Sequence, residues 1–302
     1  MKAMKEPSAD KGGIPSPIDI IIVNYNSTDY LIPCLRSIHR VNNGNALNIF
    51  VEDNGSTDGV HRVTREYPDV FLSMKGINRG YTRSVNDALK KSGSPFVILL
   101  NPDTVVQPGF FGKVIRCLEK DRRIGVLGPR ILNSDGTVQG SARTFPTPLT
   151  ALFGRNSLLT RWFPDNPVSR KNMLHKRSDG KNPMVVDWVS GACMVIRKEA
   201  LDAVGPLDER FFMYWEDVDL CRRMWRADWK VVYYPEAAVV HRVGGSSEKR
   251  LYPSVYEFHK SCYRLVVKNS KIPPGLLAPV LLPALALRFG AVLLYHALRR
   301  GR

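Results

Sequence analysis

The chain has 302 residues, of which 44% are hydrophobic and 24% charged, the balance of a globular protein with a substantial core. This composition excludes collagen-like, coiled-coil and low-complexity classes, and no repeat recurs at a fixed period. The 44 Lys and Arg against 28 Asp and Glu leave a formal charge of +16, which implies an anionic partner: nucleic acid, a phosphorylated substrate or an acidic membrane face.

Residues 1–17 lack an apolar signal core and read as a disordered tail. From Ile18 onward, short apolar runs alternate with amphipathic segments. The runs Ile18 to Val23, Leu47 to Val51, Val70 to Met74 and Phe96 to Leu100 suit parallel strands buried on both faces. Tyr30 to Arg40, Asp58 to Tyr67 and Tyr81 to Lys91 fill the gaps as helices. Repeated βαβ units of this kind predict a twisted, mainly parallel sheet flanked by helices. Gly128 to Pro183, rich in Pro, Ser, Asn and Arg, reads as long loops and a hairpin with its turn at Asn133 to Gly136. Apolar runs return at Met184 to Val189 and Ala192 to Ile196. A helix is expected from near Trp215, then strands at Trp229 to Tyr234 and Ala238 to Val243. Cys34, Cys117, Cys193, Cys221 and Cys262 form no C-x-x-C pair and read as reduced core cysteines of a cytosolic protein.

Residues 249–302 form a basic and apolar C-terminal extension, expected to be helical. Phe258 to Arg302 holds eight Lys or Arg and no acid. Leu276 to Leu287 and Phe289 to Leu298 are apolar halves separated by Arg288, whose place at the middle of a bilayer would cost about 3 kcal/mol. Pro279 and Pro283 interrupt the first half. An in-plane pair of helices on an anionic leaflet is the preferred reading over a span or a helical cap.

Ligands of open parallel sheets bind beyond the carboxyl ends of the strands. There the chain places Asn24–Ser27, Glu52–Gly59, Asn78–Tyr81 and Asn101–Thr104, each with Asn or Asp. Turns also favour these residues, so their recurrence at one edge is what points to a binding site. Asp103 follows a buried strand and suits Mg²⁺ or Mn²⁺, although a turn aspartate would look the same. Asp53 ends another strand and is placed to accept a hydrogen bond from a nucleobase. In Phe211 to Trp225 three acids crowd among aromatics. At about 100° per residue, Asp217 projects into the arc of Leu220, Cys221, Met224 and Trp225. Asp219 falls on the face of Arg222, Arg223 and Arg226 as a solvated charge, and Glu216 lies between the faces. An inward acid at a helix start suits a general base. His241 precedes Gly244, Gly245, Ser246 and Ser247, where backbone amides suit phosphate, so a metal or diphosphate role competes with a structural one.

Taken in order, "IIIVNYN", "VEDNGSTDG", "NRGYTRSVN", "LLNPDT", "SGACMVIRKEAL", "GPLDERFFMYWEDVDL" and "HRVGGSS" resemble the inverting GT-A glycosyltransferases of family 2, in their bacterial rhamnosyltransferase branch. The resemblance spans Ile18 to Ser247 and implies a GT-A domain over 18–248. It implies that Asn24, Tyr25, Asn26, Asp53 and Asn78 line a nucleotide pocket. Asn101 and Asp103 match the D-x-D element, with a divalent metal on Asp103 and His241. Asp217 matches the catalytic base. Gly191, Ala192, Trp215 and Glu216 edge the acceptor site, and Ser141 and Arg143 match a segment common in the branch, Arg143 on the acceptor side. Asn101 replaces the first carboxylate of D-x-D, and Asp228 stands where the family has Gly.

The expected activity is transfer of L-rhamnose from dTDP-rhamnose to a glycan or polyprenyl-diphosphate-linked sugar, at the inner face of the cell membrane. UDP- or GDP-sugars and an inactive scaffold are the alternatives. A pyrophosphorylase would need Gly and Lys after the first strand, where "NYNSTDY" has neither. Nucleic acid is not an expected partner, because the densest acid-free region is the apolar tail rather than the folded domain.

Overall fold

The computed structural model describes residues 17–147, 172–242 and 251–300. The expected tail and most of the Gly-Gly-Ser-Ser loop after His241 lie outside the described residues. The first half folds as β1 (Ile18–Asn24), α1 (Thr28–Val41), β2 (Leu47–Asp53), α2 (Arg62–Glu66), β3 (Val70–Met74), α3 (Tyr81–Leu89) and β4 (Phe96–Leu100). Strands β3, β2, β1 and β4 pair in parallel in that order, as the βαβ pattern predicts. Both faces of β1 are buried. Ile18, Ile20 and Ile22 join Leu31, Leu35 and Ile38 of α1, while Ile21 and Val23 join Val85 and Ala88 of α3 on the other side. Two-residue periodicity with apolar side chains on both faces is what forces helices onto both sides of the sheet.

The second half departs more from expectation. After β5 (Thr104–Val106) and α4 (Phe110–Lys120), β6 runs Ile124–Leu132, so the stretch from Gly128 begins inside the sheet rather than in a loop. The turn at Asn133 to Gly136 does form a hairpin, closed by the antiparallel bridge of Leu132 and Val138. Next come β7 (Ala142–Arg143), a 3₁₀ turn (Leu174–Arg177), β8 (Met184–Val185), β9 (Trp188–Val189), β10 (Cys193–Arg197), α5 (Lys198–Val204), α6 (Glu216–Arg226) and β11 (Lys230–His241). β10 lies antiparallel between β4 and β6, making the sheet mixed. The two expected strands at 229–234 and 238–243 are one strand. It passes through Pro235 at a register shift between Tyr234 and Ala238, where the bulge removes the need for a ladder N–H. Asp228, just past α6, has φ 60°, a left-handed position that glycine fills most easily and aspartate tolerates.

The extension is α7 (Leu251–Asn269) and α8 (Pro274–Arg300). α8 is one continuous helix containing Pro279 and Pro283, not two halves broken at Arg288. All five cysteines are free, and four of them are buried.

Candidate active site

At the carboxyl end of β1 and β2, the loops are stitched together by short polar side chains. The Asn24 Nδ2 donates to Asp53 Oδ1 at 2.9 Å and to Ser56 Oγ at 3.1 Å. Asn26, in the left-handed region at φ 51°, accepts from the Thr57 N–H at 2.8 Å, and Ser56 Oγ accepts from the Asn26 N–H at 2.8 Å. Asp53 is fully buried; besides Asn24 it accepts from Ser56 Oγ and from the N–H groups of Gly55 and Ser56. A carboxylate has about four acceptor sites, so this one is filled from within, and Asp53 braces the loops after β1 and β2 instead of offering a free acceptor. Asn24 Oδ1 is buried and accepts nothing. Tyr25 is half-buried, and Asn78 is exposed, its Oδ1 taking the Gly80 N–H at 3.0 Å. Gly80 (φ 91°) holds this edge together, since a Cβ there would lie 2.7 Å from the Phe212 ring and carbonyl.

Beyond β4, Asn101 and Asp103 meet His241 at the end of β11. His241 Nε2 lies 3.2 Å from Asp103 Oδ1 and 3.4 Å from Asn101 Nδ2. Asp103 is buried, and its Oδ1 accepts no hydrogen bond. An orphaned carboxylate oxygen beside an imidazole nitrogen fits a divalent cation. Among the described residues no group of three His, Cys, Asp or Glu gathers for a metal. A cation held by these two protein atoms would take most of its coordination from waters and phosphate oxygens, which suits Mg²⁺.

The acids of α6 lie next to this loop. Asp217 Oδ2 accepts from the Gly191 N–H at 3.0 Å and Oδ1 from the Val218 N–H at 2.8 Å. The next residue, Ala192, accepts the Asn101 N–H on its carbonyl at 3.0 Å. Two consecutive residues thus tie the inward acid to the Asn101–Asp103 loop. Burial raises the Asp217 carboxyl; the two backbone N–H groups and the charge of Arg143 oppose that rise. Glu216 is pushed up to about 8 by burial and then by the charge of Asp217, and its buried Oε2 accepts no hydrogen bond. The Tyr81 hydroxyl, buried in the same cavity with Leu99 and Met194, is pushed up by burial and by both acids and stays protonated. Tyr214 and Trp215, immediately before the acids, both hold positive φ (67° and 69°), strain of the kind that collects at functional sites.

Two of the expected placements of these acids change. Asp219 is not a solvated charge: it is 1% exposed and bridges Arg223 (3.0 Å) and Lys268 of α7 (2.6 Å). The arginine pairing was expected from the helix, whereas the cover came from α7, which a helical wheel does not contain. Glu216 is not on a border but shares a cavity with Asp217. Trp215 turns its indole toward α7, donating to the Phe258 carbonyl at 3.1 Å. Arg143 stacks over Trp188 at 5.3 Å and donates to the Gly140 carbonyl. Ser141 is buried. Sequence reading missed Tyr81, Ser56 and Gln139, common polar residues whose meaning comes only from what they face.

A family profile described as "Glycosyltransferase like family 2" matches residues 15–257. The chain is 33% identical over 258 residues to the N-acetylglucosaminyl-diphospho-decaprenol L-rhamnosyltransferase of Mycobacterium tuberculosis, covering 82% of each chain. It is 22% identical to rhamnosyltransferase WbbL of Escherichia coli K12, over 83% of this chain and 92% of that one. Among solved structures, a mannosyltransferase from Pyrobaculum calidifontis in complex with GDP-Man and Mn²⁺ superposes with a TM-score of 0.54 at 16% identity, covering 95% of this chain and 76% of its own. GalNAc-T7 with UDP, GalNAc and Mn²⁺ gives 0.57 at 16% identity, over 76% of this chain and 44% of its own. With this fold and these relatives, the chain belongs to glycosyltransferase family 2 and is a GT-A, rhamnosyltransferase-like glycosyltransferase.

Proposed function

We propose that the enzyme transfers L-rhamnose from dTDP-rhamnose, with inversion, to a hydroxyl of polyprenyl-diphosphate-linked N-acetylglucosamine in cell-envelope polysaccharide synthesis. The observation that carries this reading is the Gly191–Ala192 joint, which holds Asp217 on one residue and the Asn101–Asp103 loop on the next. A base and a diphosphate-binding loop so close suit one direct displacement. The acceptor oxygen attacks the anomeric carbon, its proton passes to Asp217, and the bond from that carbon to the nucleoside diphosphate breaks. Burial raises the Asp217 carboxyl, while the two backbone N–H groups and Arg143 oppose that rise and favour the ionised form that receives the proton. Glu216 stays neutral at pH 7, so it adds no second charge beside the base. Gly191, Ala192, Trp215 and Glu216 edge the acceptor, while Asn24, Tyr25, Asn26 and Asn78 edge the nucleotide, with Asp53 bracing the loops after β1 and β2. Asp103 and His241 would hold Mg²⁺ or Mn²⁺, which when bound offsets charge on the leaving diphosphate. The sugar and the lipid-linked acceptor follow from the name of the mycobacterial relative.

The lipid acceptor fits the C-terminal helices. Pro274–Leu298 has a mean hydropathy of 2.0 and is long and apolar enough to cross a membrane. Leu276, Val280, Leu287, Leu294 and Leu298, 61–78% exposed, line one stripe. Arg288 faces the other way, donating to His259 Nε2 at 2.9 Å and lying over the Phe258 ring. The one charge in the apolar stretch is therefore turned from the lipid-facing stripe toward α7. α7 in turn is held to α6, which favours α8 lying on the cytoplasmic face of the membrane over crossing it.

The test offers dTDP-, UDP- and GDP-sugars with Mg²⁺ or Mn²⁺ and a lipid-diphosphate N-acetylglucosamine, with products identified by mass and NMR. The expected result is a rhamnosylated lipid of inverted anomeric configuration, dependent on metal. Transfer from UDP- or GDP-sugars alone would overturn the donor, a retained configuration the displacement, and absence of any transfer the reading as an active enzyme.

A further inference from the structure

Gln139 lies between β6 and β7, buried to 7% exposure, with its backbone fixed on both sides: its N–H donates to Ile131 and its carbonyl accepts from Ser141, each at 2.8 Å. Its side chain grips His241 twice. One end donates from Nε2 to the His241 carbonyl at 2.7 Å and to the Leu132 carbonyl at 3.4 Å. The other end places Oε1 3.1 Å from His241 Nδ1. Carbonyls only accept, so the two that face the amide nitrogen fix which end of the amide is which. Oε1 can then only accept, and the ring proton of a neutral His241 must sit on Nδ1. Nε2 is left with its lone pair, which meets the Asn101 Nδ2 only at a long 3.4 Å and lies 3.2 Å from the buried Asp103 Oδ1, which accepts nothing. Two electron-rich atoms that close repel unless a cation lies between or beside them.

We infer that Gln139 is a positioning residue for cation binding: it sets the His241 tautomer and aims Nε2, together with Asp103, at a divalent ion. The assignment rests on the metal reading above and adds to it the residue that makes His241 a ligand. Partners of this kind orient metal-binding histidines in general, and their loss weakens metal affinity about 10- to 100-fold.

Two measurements test it. In wild-type protein labelled with ¹⁵N-histidine, the His241 shifts should report a proton on Nδ1; a neutral ring protonated on Nε2 would overturn the proposal whether or not any variant folds. Mn²⁺ titration followed by electron paramagnetic resonance, with and without dTDP, then compares wild type with Gln139→Leu. A dissociation constant raised about tenfold or more in the variant, with near-UV circular dichroism unchanged, is the expected result. A folded Gln139→Leu that binds Mn²⁺ within twofold of wild type would overturn this assignment alone. Wild-type protein that takes up no Mn²⁺ in either titration would overturn the metal reading beneath it.

Discussion

Asp217 and Glu216 are neighbours in sequence, yet their surroundings treat them differently. Asp217 receives two backbone N–H groups and the field of Arg143; Glu216 Oε2 receives nothing. Glu216, pushed up to about 8, therefore carries its proton at neutral pH. This has a thermodynamic consequence. Folded Glu216 keeps its proton to about pH 8, whereas an unfolded glutamate loses it near 4.5. Between these values the folded state binds more protons, so Glu216 lowers stability as pH rises. Glu216→Gln removes that penalty: thermal melts should match wild type near pH 4.5 and run higher at pH 8, by an amount on the order of a few kcal/mol. A melting difference independent of pH would contradict the assignment. The acid limb of activity should belong to Asp217, whose carboxyl must ionise to act. Rate should thus rise with pH from the acid side, and because Glu216 is still neutral over that limb, Glu216→Gln should leave it in place; a shifted limb would contradict the assignment of the proton to Glu216.

At the scale of elements, α6, the helix of Asp217, is held from outside the sheet. α7 reaches α6 and the loop before it through Lys268 to Asp219 and Asp208 (2.6 and 2.7 Å), Ser261 to the Met213 carbonyl (2.9 Å), and Arg226 to Asn269 (2.9 Å). Lys268→Ala leaves Asp219 with Arg223 alone and should cost about 1–3 kcal/mol in denaturant melts; a change below a few tenths would mean that α7 is not a structural part of the catalytic domain. On the sheet, a Cβ on Gly128 would lie 2.5 Å from the Val189 Cβ. Gly128→Ala should therefore destabilise by about 1–3 kcal/mol, and a neutral melt would show that β6 and β9 can separate. The parallel half was legible because each strand and helix carries its own period: β1 to β4 and α1 lie where apolar runs and helical spacing put them. What escaped reading depended on distant partners. β6 looked like loop because Gly128 and Pro129 break its apolar run, and Gly128 is required only where Val189 presses on it. Asp219 looked solvated because its lid, α7, lies far along the chain. Asp53 looked like a base-binding acceptor because Asn24, Ser56 and Gly55 fill it only once the loops meet.

For the whole molecule, the apolar stripe of α8 would hold the glycosyltransferase domain at a membrane, where a lipid-linked acceptor would lie. Burying three leucines contributes roughly 5 kcal/mol or more. The combined change Leu287→Gln, Leu294→Gln, Leu298→Gln should lower partition onto anionic vesicles by about 100-fold or more, while leaving the Arg288 contact intact. Unchanged vesicle binding would remove α8 as the membrane surface. The family was legible because the motifs fall in order at one edge of the sheet. The Gly191–Ala192 joint was not, because it acts through backbone groups that any residue carries. The account as a whole turns on Asp217. The direct measurement is turnover of lipid-diphosphate N-acetylglucosamine in vesicles by wild type and Asp217→Asn at saturating dTDP-rhamnose. Loss of the base should lower kcat by about 10²–10⁴-fold with donor binding unchanged, whereas an Asp217→Asn enzyme within tenfold of wild type would contradict it.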